Sequence, residues 1–151
     1  MWRKKIGLVL CGGAARAISH IGVLEVLEDL VVEISAVTGT SMGAIIGASY
    51  CSGISVKEMK DYVNSLDWKS FLLFSDITIT KMGIVNGKNV EKVLYDFFGD
   101  KTFNSCNKKF RCVAVDIVSR KKVVIDSGKL KDAVRASISI PGFFSLFVLM
   151  I

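Results

Sequence analysis

Ile6-Gly7-Leu8-Val9-Leu10 is apolar without interruption, as expected of a parallel strand covered on both faces. Cys11-Gly12-Gly13-Ala14-Ala15-Arg16 follows as a loop of small residues. From about Ala17 to Leu30 the spacing predicts a helix, with Ile21, Leu24 and Leu27 inward and Glu25, Glu28 and Asp29 outward. Ile34 to Thr38 predicts a second strand, and the small-residue stretch after Ser41 predicts a helix that packs closely on a sheet, with Gly53 as its C′ residue. Ser55-Val56-Lys57-Glu58 has the form of a capping box and starts a helix to about Leu66.

Trp68 to Ile79 is aromatic-rich and irregular, Asn86-Gly87 is a turn signal, and Asn89 can cap a helix whose Val90, Val93, Leu94 and Phe97 face inward and whose end is Gly99. Phe110 to Asp116 and Lys122 to Ile125 predict two strands joined at Ser119-Arg120-Lys121. A short helix over Leu130 to Ser137 leads to a turn at Ile140-Pro141-Gly142, and the apolar run Phe143 to Ile151 closes the chain. Strands alternating with helices give an α/β fold, a predominantly parallel sheet sandwiched by helices.

The 151 residues make one domain's worth of chain, and 51% hydrophobic residues exclude a disordered protein. Twenty Lys and Arg against fourteen Asp and Glu leave a net charge of +6, which suits an anionic surface such as phospholipid headgroups without requiring one. The four cysteines have neither close pairing nor histidine partners, so no zinc site or disulfide framework is expected and the default setting is cytoplasmic. Met1-Trp2-Arg3-Lys4-Lys5 before Ile6 to Cys11 imitates a signal peptide, but Gly12-Gly13 breaks the apolar run and the segment reads as the first strand. No stretch approaches the roughly 20 apolar residues of a membrane span.

Gly39-Thr40-Ser41-Met42-Gly43 is the chemical centre. A G-x-S-x-G pentapeptide between a strand and a helix places its serine on a sharp turn, with the hydroxyl exposed and a helix N-terminus beside it. The alternative is a plain Gly-Ser turn feeding a helix. A serine needs a base, and the one histidine, His20, precedes Ser41, so neither the α/β-hydrolase nor the subtilisin order can be assembled. A His20-Asp29-Ser41 order matches chymotrypsin only formally, and His20 reads as a structural residue beside the Gly-rich loop. An aspartate acting alone as base is what remains, with Asp116 a weak candidate at a strand end and Asp126 a turn residue.

Gly12-Gly13-Ala14-Ala15-Arg16-Ala17, His20-Ile21-Gly22-Val23-Leu24, the Ser41 pentapeptide and Arg135-Ala136-Ser137-Ile138-Ser139-Ile140-Pro141-Gly142 resemble the patatin-like phospholipases from Ile6 to about Phe144. The resemblance implies a lipid acyl hydrolase with a Ser–Asp dyad and no metal or organic cofactor. Ser41 would be the nucleophile, Gly39 and Gly43 the elbow glycines, and Gly12, Gly13, Ala14 and Arg16 the oxyanion loop. It implies a lipid or acyl ester substrate, with possible peripheral contact to a membrane surface and no nucleic acid.

Two positions depart from the pattern. Ala14 and Ala17 stand where the family has glycine, and a Cβ penalises any positive-φ geometry there. The family's D-G-[GA] aspartate follows the Ile-Pro-Gly segment, and no Asp-Gly pair occurs in the 151 residues. The expectation is a single domain over 1–151, incomplete at its C-terminus and impaired in turnover. The rival is a truncated, non-catalytic homologue that binds lipid or a protein partner through its apolar C-terminus. A nucleotide-phosphate loop at Gly12-Gly13 is a third reading, weakened by Ala17 at its third glycine.

Overall fold

The computed structural model describes residues 5–66 and 87–139. Four strands form one sheet in the order β1 (Lys5–Leu10), β2 (Glu33–Thr40), β3 (Lys109–Asp116) and β4 (Lys121–Ile125). The first three are parallel and β4 pairs antiparallel with β3. Flanking them are α1 (Ser19–Asp29), α2 (Met42–Cys51), α3 (Val56–Ser65), α4 (Gly87–Phe98) and α5 (Leu130–Ile138). The predominantly parallel α/β class expected from the strand-helix alternation is what forms.

Local chemistry sets most boundaries. At α3, Ser55 Oγ accepts from the Glu58 N–H while the Glu58 carboxylate accepts from the Ser55 N–H, which completes the predicted box. Helix α2 ends as a Schellman motif: Gly53 takes φ +95, its N–H donates to Tyr50 O, and Ile54 N–H donates to Ser49 O. Gly99, at φ +51, ends α4 by donating to Tyr95 O.

Three expectations need correction. The helix expected from about Ala17 starts as a 3-10 turn over Ala14–Ile18 and becomes α-helical only at Ser19. Helix α4 is under way at Gly87, two residues before the expected cap Asn89. Strand β1 is covered on one face only among the described residues: Leu10 is 2% exposed but its neighbour Val9 is 76% exposed. The crossovers β1-α1-β2 and β2-α2-α3-α4-β3 step the same way across the sheet, so with the usual right hand their helices fall on the same face, where α1 packs on α2 and α3. The basic start at 1–4, the stretch Trp68 to Ile79, Asn86, the Ile140-Pro141-Gly142 turn and the run Phe143 to Ile151 lie outside the described residues.

The core is the layer between that face and the helices. Leu10, Val37, Phe110 and Cys112 from the strands meet Ala44, Ala48 and Val134 from α2 and α5, all buried. Strand β2 carries one irregularity. Ile6 pairs with Ile34 and Gly7 with Ala36, so Ser35 is an extra residue, and its hydroxyl donates to Ile6 O at 3.0 Å. Ile34 and Val37 can therefore both reach the core although they stand three positions apart.

Candidate active site

Strand β2 runs straight into Ser41, the N-cap of α2, which holds φ +54 and ψ −126. That setting is rare for a residue with a Cβ and costs on the order of 1–3 kcal/mol, retained only where the surroundings fix it. Both flanking glycines are required sterically. A Cβ on Gly39 would stand 2.5 Å from Gly43 O and 2.6 Å from Ala44 Cα, and one on Gly43 would collide with Leu10 O and stand 2.6 Å from Cys11 O. The elbow is thus wedged between the end of β1 and the first turn of α2.

The Gly-rich loop lies against the serine. A Cβ on Gly12 would stand 3.1 Å from Ser41 Cβ and 3.8 Å from its Oγ, so any other residue would push the two segments apart by a few tenths of an ångström. Beyond it, Arg16 N–H donates to Gly13 O at 3.0 Å and closes the 3-10 turn. The first N–H groups of that turn and of α2 have no intrahelical acceptor by construction, and both sets start beside Ser41. Ala14 sits at φ +48, the left-handed geometry anticipated as a penalty for alanine at this position. Arg16 is exposed and does not line the cavity described below.

His20, on the first turn of α1, lies 2.9 Å through Nε2 from Cys11 O, a hydrogen bond that pins the chain just before Gly12. Asp29 lies nine residues further along the same helix, about 13 Å away at 1.5 Å per residue, so His20, Asp29 and Ser41 form no relay. Asp116 is no better placed. Thr40 pairs with Val113, which puts Asp116 three residues, roughly 10 Å, beyond the elbow's level. Its carboxylate accepts from Val118 N–H at 2.9 Å and Ser119 Oγ at 2.6 Å, and the Ser119 hydroxyl foremost holds it below the usual aspartate range. Asp126 forms an exposed ion pair with Arg111 at 3.6 Å. Among the described residues, no carboxylate or imidazole is hydrogen-bonded to the Ser41 hydroxyl.

One polar partner was not foreseen from the sequence. Ser41 N–H donates to Ser137 Oγ at 2.8 Å, and the Ser137 hydroxyl donates to Val113 O at 2.6 Å. Two residues before Ser137, the buried Arg135 guanidinium donates from Nη1 to Ser139 Oγ at 2.6 Å. Only the hydroxyl types in the Arg135-to-Gly142 stretch hinted at this.

Ser41, Gly12, Gly13 and Ala14 open onto a cavity of about 450 Å³. Its walls run from Met42 and Ile45 of α2, through Met59 and Tyr62 of α3, to Leu94 and Phe97 of α4, and are almost wholly apolar. Tyr62 and Phe97 meet edge-to-face at 4.6 Å and brace α3 against α4. The buried thiols of Cys51 and Cys112 are pushed up by burial, to about 12 and about 11, and are inert as nucleophiles. Among the described residues no cluster of His, Cys, Asp or Glu could hold a metal ion, and no helix is long and apolar enough to cross a membrane.

The chain is similar to proteins of known family. It is 31% identical over 138 residues to an NTE family protein of Mycobacterium tuberculosis, covering 91% of this chain and 38% of that one. It is 32% identical over 143 residues to a neuropathy target esterase of Drosophila grimshawi, covering 91% of this chain and 10% of the other. The chain therefore spans about two fifths or less of the relatives it matches. Among solved structures, the type III effector protein ExoU superposes with a TM-score of 0.57 at 17% identity, over 90% of this chain and 40% of that one. ExoU of Pseudomonas aeruginosa in complex with SpcU gives 0.65 at 18%, over 89% and 38%. The likeness to ExoU is one of fold. A family model described as patatin-like phospholipase matches residues 8–149, and on that span the chain belongs to the patatin-like phospholipase family.

Proposed function

We propose that this chain carries the nucleophile and oxyanion loop of a serine-dependent lipid acyl ester hydrolase. The observation that supports it most is the junction of a strained Ser41, a glycine against which it rests, and an apolar cavity of about 450 Å³ opening at the same point. An acyl chain gains about 0.8 kcal/mol per buried methylene, so such a cavity orients a lipid ester with its carbonyl at the serine. Ser41 Oγ attacks that carbonyl, its proton passing to a carboxylate, and the tetrahedral oxyanion is held by N–H groups of Gly13 and Ala14, with Gly12 giving room and Arg16 closing the loop. Collapse expels the alcohol or lysolipid, and water then releases the fatty acid by the reverse proton path. Substrate approach would come from a membrane surface or dispersed lipid. No metal or organic cofactor takes part.

In this reading the base is the dyad aspartate of the family, for which the 151 residues contain no Asp-Gly pair, so the chain by itself is impaired in turnover. A non-catalytic lipid- or partner-binding role is the second reading, favoured by the lack of a base on Ser41 among the described residues. A fluorophosphonate probe decides between them. The hydrolase reading expects labelling at Ser41, abolished in Ser41→Ala, with slow ester turnover. Rapid turnover abolished by Ser41→Ala would remove the impairment and keep the hydrolase. Absence of labelling, with vesicle binding intact, would overturn the hydrolase.

A further inference from the structure

The hairpin between β3 and β4 projects from the same sheet edge that carries Ser41. Val113 is level with Thr40, and the strand continues three more residues, about 10 Å, before turning. At the turn Ile117 is 46% and Val118 88% exposed, two aliphatic side chains offered to water where a polar turn would cost nothing. Arg120, Lys121 and Lys122 follow, all exposed, and none is in an ion pair with a described residue. The one acidic group, Asp116, has both carboxylate oxygens occupied inside the turn by Val118 N–H and Ser119 Oγ, which stiffen it. Three cations against one anion leave the tip at +2. The apolar band continues down the stem in Val115 and Val124, which are exposed as well.

We propose that this tip is a docking element for an anionic phospholipid surface, with Ile117 and Val118 entering the interface and Arg120, Lys121 and Lys122 held at the phosphate level. An aliphatic pair gains only where it leaves water, and a cationic collar gains only beside negative charge; a headgroup layer over hydrocarbon offers both at this spacing. A nucleic acid would satisfy the cations and leave the aliphatics wet. Docking by this tip turns the Ser41 edge toward the bilayer, so the inference rests on the lipid-ester reading above and adds the surface that delivers the substrate.

The test is sedimentation of the Ser41→Ala chain, which cannot consume lipid, with vesicles of phosphatidylcholine alone and of phosphatidylcholine mixed with phosphatidylglycerol. Binding to the mixed vesicles only is expected, weakening as salt rises. Lys121→Ala and Lys122→Ala should each lower partition roughly fivefold, and together about 25-fold, from about 1 kcal/mol per basic residue near such a surface. Val118→Asp should abolish it. Equal partition of these variants and the parent, or equal binding to neutral vesicles, would overturn the proposal. So would a loss of partition by Val118→Asp that coincides with a change from dimer to monomer, which would make the tip a contact between copies of this chain. Fluorophosphonate labelling of the same substitutions in a Ser41-containing chain is expected to be unchanged, and its outcome reports on the hydrolase reading separately.

Discussion

The backbone N–H of Ser41 donates to Ser137 Oγ across 96 residues of chain, and the same hydroxyl donates to Val113 O. One side chain from α5 thereby ties the elbow to the neighbouring strand. The Ser41 amide is committed to this bond, so in the proposed hydrolase the oxyanion would fall to the N–H groups of the Gly-rich loop. Ser137→Ala would strand a partly buried N–H and carbonyl, at a cost of about 1–3 kcal/mol. Ser137→Thr keeps the hydroxyl. The alanine variant should lose several degrees in thermal unfolding and label more slowly with fluorophosphonate, while threonine restores the labelling rate. Equal labelling by alanine and parent would show that the tether does not position Ser41.

Gly43 has no room for a methyl group, because Leu10 O and Cys11 O occupy the place. Both obstacles are backbone and cannot rotate away. Gly43→Ala should cost about 3 kcal/mol or more, at the upper end of overpacking effects, or roughly 6–12 °C in a domain of this size. Gly22→Ala, where nothing lies within 4 Å of the added carbon, is the control and should unfold near the parent temperature. Thermal denaturation followed by circular dichroism reads both.

Ala14 is held at φ +48. A left-handed alanine costs about 1–2 kcal/mol that glycine does not, against roughly 0.5–1 kcal/mol of extra chain entropy that glycine loses on folding. Ala14→Gly is therefore expected to leave stability unchanged or raise it by up to about 1.5 kcal/mol, the opposite of the usual sign. It should also speed fluorophosphonate labelling, since a Cβ is removed from the mouth of the cavity. A loss of stability would show that the left-handed turn is not what this loop maintains.

Glu58 makes the N-terminal box of α3 pH-sensitive. The Ser55 hydroxyl first, then its N–H, hold the carboxylate below its ordinary value of 4.5. A carboxyl with a lowered native value adds stability that is complete above the ordinary value and is lost as pH falls through the native one. Glu58→Gln should unfold at a lower temperature than the parent at neutral pH, with the gap closing under acid conditions. Because α3 supplies Met59 and Tyr62 to the cavity wall, labelling by long-chain probes should weaken in step.

What could be read in the chain was whatever short spacing determines. The uninterrupted run from Ile6, the Ser55 box, the C′ glycine at 53 and the Gly39-to-Gly43 elbow each follow from neighbours within five residues, and each stands where expected. Ser137 could not be assigned a partner in this way, since its acceptor and donor belong to β3 and the elbow and meet it only after α5 packs. The exposed face at Val9 was invisible for a related reason. An apolar strand reads as two-sided burial, while the hand of the two crossovers decides which side receives the helices. The cavity is likewise a product of three helices, and no single one of them announces it.

Ser35 has a reach beyond its own hydrogen bond. As the unmatched residue opposite Ile6 and Gly7, it sets the phase of everything downstream in β2. Were Ser35 paired like its neighbours, strict alternation from Ile34 would send Val37 out to water and rotate the strand's exit by half a turn. The aim of the Ser41 hydroxyl is in that sense encoded six positions upstream, in Ser35.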